Sequence, residues 1–160
     1  MSAAVGKRVF TIAWDSTNRV APGGGGGSKY DYTVNLNGAP WLAQAEAPKA
    51  YRLYLSTLAF WQGKATPTTT VGLLTLKIQG MNTPCTASMF GNGGGGNSPS
   101  FIVPLTSSQY VDQNGISRQP IVVAAFDSAS LHISWTGDDS QAVTDLLDHR
   151  VVLTLEPIYD

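Results

Sequence analysis

The chain has 160 residues, enough for one domain whose core needs no disulfide. Apolar residues make up 42% of it and charged ones only 13%, against a usual charged share of roughly 25%. The net charge is −1, the single Cys85 excludes an intrachain disulfide, and no stretch approaches the ~18 apolar residues of a membrane span.

Apolar residues two apart recur along the whole chain, the period of a strand with one buried face. Residues 8–14 form the first expected strand, with Phe10, Ile12 and Trp14 on one side. A loop through Pro22 and Gly23–Gly27 follows, and residues 30–36 alternate again as far as the turn pair Asn37-Gly38. Residues 40–47 suit a short helix before Pro48. Residues 50–61 form a strand long enough to bend or to span the domain, and residues 71–79 form the next. Gly80 to Ser100 holds too many glycines and prolines for a regular element. Residues 100–105, extended by 109–111, resume the strand pattern, and Asn114-Gly115 marks another turn. Residues 121–126 and 129–135 are two strands joined at Asp127-Ser128. Asp138 and Asp139 are placed to cap a helix over 141–148, and residues 150–156 form the last strand, closed by Pro157. About eight strands with long breaker-rich connections predict an all-β, eight-stranded antiparallel jelly-roll sandwich of Greek-key type, with one or two short helices in the connections. Residues 1–7 form an arm, and 8–160 one domain with Gly-rich loops at 21–29 and 91–99.

The low charge has two explanations: a neutral polar surface, or a surface covered by neighbours, whose contact cores are poor in charge. Residues 1–29 carry Lys7, Arg8, Arg19 and Lys29 against the single acid Asp15, while residues 30–160 are net acidic. These four cations, with Trp41 as the tryptophan least tied to a strand, are the candidate partner contacts. No basic stripe with interleaved aromatics occurs, so nucleic acid is not an expected partner. The first residues lack the apolar run of a signal peptide, and no glycosylation sequon occurs. A protein made in a reducing cytoplasm, or assembled there into something larger, is expected.

Residues that carry chemistry are scarce. Gly91-Asn92-Gly93-Gly94-Gly95-Gly96 satisfies the glycine spacing of a dinucleotide loop, but Asn97-Ser98-Pro99 and a strand follow where the chemistry needs a helix N-terminus. The tract at 23–27 lacks the Gly-Lys-Ser/Thr of a phosphate loop. His132 and His149 are the only histidines, without ligand-like spacing to each other or to Cys85. His132 is expected on the polar side of its strand, and His149 in a cap or surface position. No Gly-x-Ser-x-Gly elbow occurs, and Cys85 sits in a Pro-flanked loop. No catalytic, cofactor or metal residues are assigned, and no enzyme activity is expected. The tryptophans and tyrosines leave open a sugar-stacking role, although Trp14, Trp61 and Trp135 fall in or at the ends of strands, where core or rim packing accounts for them.

The strands around Tyr51–Leu58, Leu73–Ile78 and Ser100-Phe101-Ile102-Val103-Pro104-Leu105, followed by the terminal pair Leu131-His132-Ile133-Ser134-Trp135 and Val151–Pro157, give the chain a further likeness. Over residues 8–157 it resembles the single-jelly-roll minor capsid proteins of large double-stranded DNA viruses and virophages. The resemblance implies a non-catalytic virion protein of an icosahedral shell. Its partners would be the major capsid protein and other minor capsid proteins, with self-association a further expectation. It also implies that residues 1–7 and 15–29 contact partners and order only on binding. A glycan-binding sandwich and a phage tail or receptor-binding component are the alternatives.

Overall fold

Period-two alternation becomes β-structure throughout the described parts of the computed structural model, which are residues 9–19, 28–36, 48–61, 73–83, 98–104, 111–112, 120–124, 130–137, 146 and 148–159. Nine strands result: β1 (Phe10–Asp15), β2 (Asp31–Asn35), β3 (Ala50–Trp61), β4 (Leu73–Gln79), β5 (Ser100–Pro104), β6 (Val111–Asp112), β7 (Ile121–Ala124), β8 (Ser130–Thr136) and β9 (Asp148–Ile158). Among the described residues the only helical element is a 3-10 turn at Ser16–Asn18.

The antiparallel pairings nest. β1 pairs with β9, β2 with β8, β3 with both β6 and β7, and β4 with β5. Two more ladders, β3–β9 and β4–β8, join these pairs into two sheets. The first sheet runs β1-β9-β3, with β6 and β7 along the far edge of β3; the second runs β2-β8-β4-β5. β6 faces Ala59 and Phe60 while β7 faces Ala50 to Leu53, so the two act as one interrupted edge strand. Counted that way, there are eight strands in a two-sheet, all-β sandwich.

Inward residues of the first sheet stack in rows: Ser16–His149–Phe60, Trp14–Val151–Leu58, Ile12–Leu153–Leu55, Phe10–Leu155–Leu53–Ile121 and Pro157–Tyr51–Val123. The second sheet answers with Trp135–Leu76–Phe101, Tyr32–Ile133–Ile78 and Val34–Leu131. Together they form one apolar cluster. At the other end from His149, the Ala124 N–H donates to the Asn82 carbonyl (2.7 Å), tying β7 of the first sheet to the chain leaving β4 of the second.

β3 contains the one place where its own pattern breaks. Tyr51, Leu53 and Leu55 keep period two, but the next buried residues are Leu58 and Phe60, an odd step away. The register explains the step: Leu55 faces Leu153 and Thr57 faces Val152, leaving Ser56 as an extra residue in a β-bulge. The bulge returns Leu58 and Phe60 to the core face and bends the strand.

Several strand ends differ from the sequence expectation. β9 begins at Asp148, the expected last residue of the 141–148 helix, because β3 supplies partners as far as Trp61↔Asp148. Pro157 lies inside β9 rather than closing it. The β1 ladder ends at Leu155, so among the described residues no strand faces β9 on that side at Pro157, where its missing N–H breaks no ladder bond. β7 and β8, consecutive in the chain, lie in different sheets. The expected helix at 40–47, most of that at 141–148, both glycine tracts, the turns at 37–38 and 114–115, Cys85 and the 1–7 arm lie outside the described residues.

Candidate functional site

Two of the three buried polar residues among those described, Ser16 and His149, lie at one end of the sandwich, where β1 runs into the 3-10 turn beside the start of β9; the third, Thr83, is at the other end. Asp15 ends β1 opposite Arg150. Its Oδ1 accepts the Thr17 N–H (2.9 Å) and the Thr17 hydroxyl (2.8 Å), the geometry of a helix N-cap, and this is why the chain turns here. Its Oδ2 accepts from Arg150 Nη2 at 3.2 Å. Burial by itself raises the Asp15 pKa. The Thr17 and Arg150 donors outweigh it, and the net effect holds the carboxyl below its usual value.

Ser16 is fully buried and works as a hub. Its hydroxyl oxygen accepts the backbone N–H of His149 (2.9 Å), so it continues the β1–β9 ladder after β1 has turned away. The same hydroxyl donates to Asp148 Oδ1 (3.2 Å), which also holds Lys29 Nζ at 3.2 Å. Arg19 Nη1 donates to the Ser16 carbonyl at 2.7 Å.

Beneath this shell, Trp14 Nε1–H donates to Tyr32 Oη at 2.7 Å, and Tyr32 Oη lies 2.8 Å from His149 Nε2. Trp14 and His149 belong to the first sheet and Tyr32 to the second, so this chain of bonds spans the sandwich. Burial, the largest influence, drives the Tyr32 pKa far above the usual phenol range, and the bond from Trp14 only partly offsets it. Tyr32 is therefore a neutral phenol. Its oxygen accepts from Trp14 and shares a hydrogen bond with His149 Nε2, in which the phenol donates when that nitrogen carries no proton. The imidazole lies among three rings: Trp135 at 5.0 Å, and Tyr32 and Phe60 each at 5.7 Å between centroids. Trp135 Nε1 is buried without a partner of hydrogen-bond geometry, while its N–H still favours negative charge on the Tyr32 oxygen.

Ser16, His149 and Asp148 are the residue types of a hydrolytic triad, but their geometry differs from one. The serine hydroxyl meets the backbone of His149 rather than its ring, and the ring bonds to Tyr32. Ser16, Tyr32 and His149 are each fully buried. The arrangement joins two sheets and offers no nucleophile to solvent.

Two smaller polar rows lie on the outer faces. His132 bridges three strands, with Nε2 on Asp31 Oδ1 and Nδ1 3.0 Å from Gln79 Oε1. This is the polar side of its strand, as expected. On the first sheet, Glu156 meets Arg52 (3.5 Å) and accepts from the Tyr54 hydroxyl (3.3 Å). Among the described residues, no three His, Cys, Asp or Glu side chains gather as a metal site, and no helix is long and apolar enough to cross a membrane.

Of the candidate contacts, Arg19 and Lys29 come together around the Ser16–Asp148 hub. Lys7, Arg8 and Trp41 lie outside the described residues. The expectation that 15–29 orders only on binding is corrected for 15–19 and 28–29, which are bonded onto the domain. His149 is also corrected, from a cap or surface position to a fully buried one. Its position was detectable, since stepping back by two from Leu155, Leu153 and Val151 lands on it. Ser16 had no such signal, because its burial follows from a turn that alternation does not describe. Trp14 and Trp135 pack in the core as expected. No protein-family model matches this chain, and no curated protein is significantly similar to it.

Proposed function

We propose that this chain is a structural virion protein, a minor capsid component that packs with major capsid proteins and other minor capsid proteins in an icosahedral shell. The observation that supports this reading is the nested pairing of the strands. First pairs with last, second with second-last, and so inward to β4–β5, which is the order of one long hairpin rolled into a jelly roll. Jelly rolls serve capsids, lectins and cupins alike, so the fold by itself selects no function. The polar residues support the shell reading over the others. The buried ones lock the sheets together, and the two described tryptophan side chains lie in the core, away from any sugar. The protein would then act by shape, presenting its connecting loops to neighbouring capsid subunits.

The test is co-sedimentation. Particles purified from the source through successive gradients and a high-salt wash should retain the protein at a fixed ratio to the major capsid protein. Loss of the protein at the wash, or a ratio that varies between preparations, would overturn the proposal. Signal on a glycan array without particle association would favour the lectin alternative.

A further inference from the structure

We propose that the outer edge of β1 binds β1 of a second copy, so that two chains join edge to edge into one continuous sheet. The inference stands apart from the capsid reading.

It follows from the direction in which the backbone groups of β1 point. The His149 N–H reaches Ser16 on the β1 side of β9, while the Ile158 carbonyl accepts from Lys49 on the β3 side (2.9 Å). Backbone groups alternate in direction along a strand, so the odd-numbered residues of β9 face β1. Their partners Phe10, Ile12 and Trp14 therefore turn N–H and C=O toward β9, and those of Thr11 and Ala13 point the other way. Among the described residues no strand pairs with that side, and Thr11 and Ala13 are both exposed.

The edges of the second sheet carry devices that discourage such pairing, and the β6–β7 edge of the first is interrupted. On β5 the Pro99 carbonyl accepts the Ile78 N–H (3.0 Å), which by the same alternation turns Ser100 and Ile102 outward. Pro104 cuts that edge short. On β2 the Tyr30 carbonyl accepts the Trp135 N–H (2.8 Å), so Asp31, Thr33 and Asn35 face outward. Asp31 places a charge there, and its N–H bonds back to Ser28 (3.4 Å). β1 contains no proline or lysine, and its ladder with β9 runs without a register shift.

The residues of β1 select a second copy as the occupant. Outward from Ile12 in both directions come a small residue, Thr11 or Ala13, and then an aromatic one, Phe10 or Trp14. An antiparallel copy related by a two-fold axis at Ile12 therefore sets like against like. Thr11 and Ala13 exchange both ladder bonds with Ala13 and Thr11 of the second copy. On the inner face Ile12 meets Ile12, and the partly buried Phe10 meets Trp14 in a cross-strand aromatic pair. Asp15 is the one charged side chain of β1. This register holds its two copies roughly 20 Å apart, beyond the screening length of about 8 Å in physiological salt.

The test is sedimentation equilibrium of the full chain over a concentration series reaching about 1 mM, with amide exchange read residue by residue by NMR at both ends of the series. The mass should rise from 16.9 kDa toward twice that value. Exchange at Thr11 and Ala13 should slow at least about tenfold, with Thr33 and Ile102 unchanged. Ala13→Pro removes an outward N–H and leaves the β9 ladder its donors, so it should weaken association at least about tenfold. Ile102→Pro, the same change on β5, should leave association intact. Should Ala13→Pro fail to fold, the exchange pattern of the wild type decides. A chain that keeps the mass of one copy throughout overturns the proposal. So does a dimer that Ala13→Pro leaves intact, or one in which the Thr11 and Ala13 amides exchange as fast as in the monomer.

Discussion

Deleting Ser56 is the perturbation that best isolates how the sequence folds. Ser56 is the extra residue that places Leu58 opposite Val151 and Phe60 opposite His149 on the core face. Without it, the second half of β3 falls out of phase. Either Leu58 and Phe60 turn outward and Thr57 and Ala59 turn in, or β3 slips against β9 and loses its pairing with β6. Leu58 and Phe60 are both fully buried. Exposing a leucine and a phenylalanine costs about 1.5–3 kcal/mol each, or about 3–6 kcal/mol together, before the Thr57 hydroxyl is buried. That is a large part of the roughly 5–15 kcal/mol that holds a domain folded. Replacing Ser56 by Ala keeps the residue count and removes only the hydroxyl contact with Thr154, worth about 1 kcal/mol. Urea unfolding reported by the buried Trp14 and Trp135 separates the two cases. The reasoning is refuted if the deletion unfolds within about 1 kcal/mol of the wild type, or if Ser56→Ala costs as much as the deletion.

Two further predictions concern the junction. Tyr32→Phe keeps the ring but strands the Trp14 N–H and His149 Nε2, so it should cost about 2–4 kcal/mol at neutral pH in chemical denaturation; a loss below about 0.5 kcal/mol would mean that the bonds contribute little. Asp15→Ala removes the cap of the 3-10 turn and should cost about 1 kcal/mol at pH 7. Because the folded carboxyl titrates below its unfolded value of about 3.9, its contribution is complete above that pH and disappears as pH falls through the lower, folded value. The stability gap between Asp15→Ala and the wild type should therefore close in strong acid, and a gap that stays constant would contradict the assignment.

The residues explain which parts of this structure were legible beforehand. Phe10-Ile12-Trp14, Leu74-Leu76-Ile78, Leu131-Ile133-Trp135 and Val151-Leu153-Leu155 each carry a single uninterrupted period, and each became a strand with that face buried, Phe10 only partly so. β3 was found with its full length even though its period breaks, because apolar and β-branched residues continue through Ser56. Which strands pair was not legible, since alternation fixes a face and leaves the partner open. The buried junction was the least legible part. Tyr32 and His149 are polar enough to suit either face, and only the three-dimensional approach of Trp14 to Tyr32, and of Tyr32 to His149, makes these bonds. Arg19 and Lys29 were singled out as outward-reaching cations from charge asymmetry alone, which carries no information on how near Asp148 and the Ser16 carbonyl would lie.

The most direct test of the shell proposal is a cryo-electron microscopy map of purified source particles, resolved well enough to trace strands. The proposal predicts density at symmetry-related positions of the shell that fits the sheets β1-β9-β3 and β2-β8-β4-β5, with the connecting loops against neighbouring subunits. A complete shell in which every position is filled by other chains, with this protein recovered only in the soluble fraction, would contradict it.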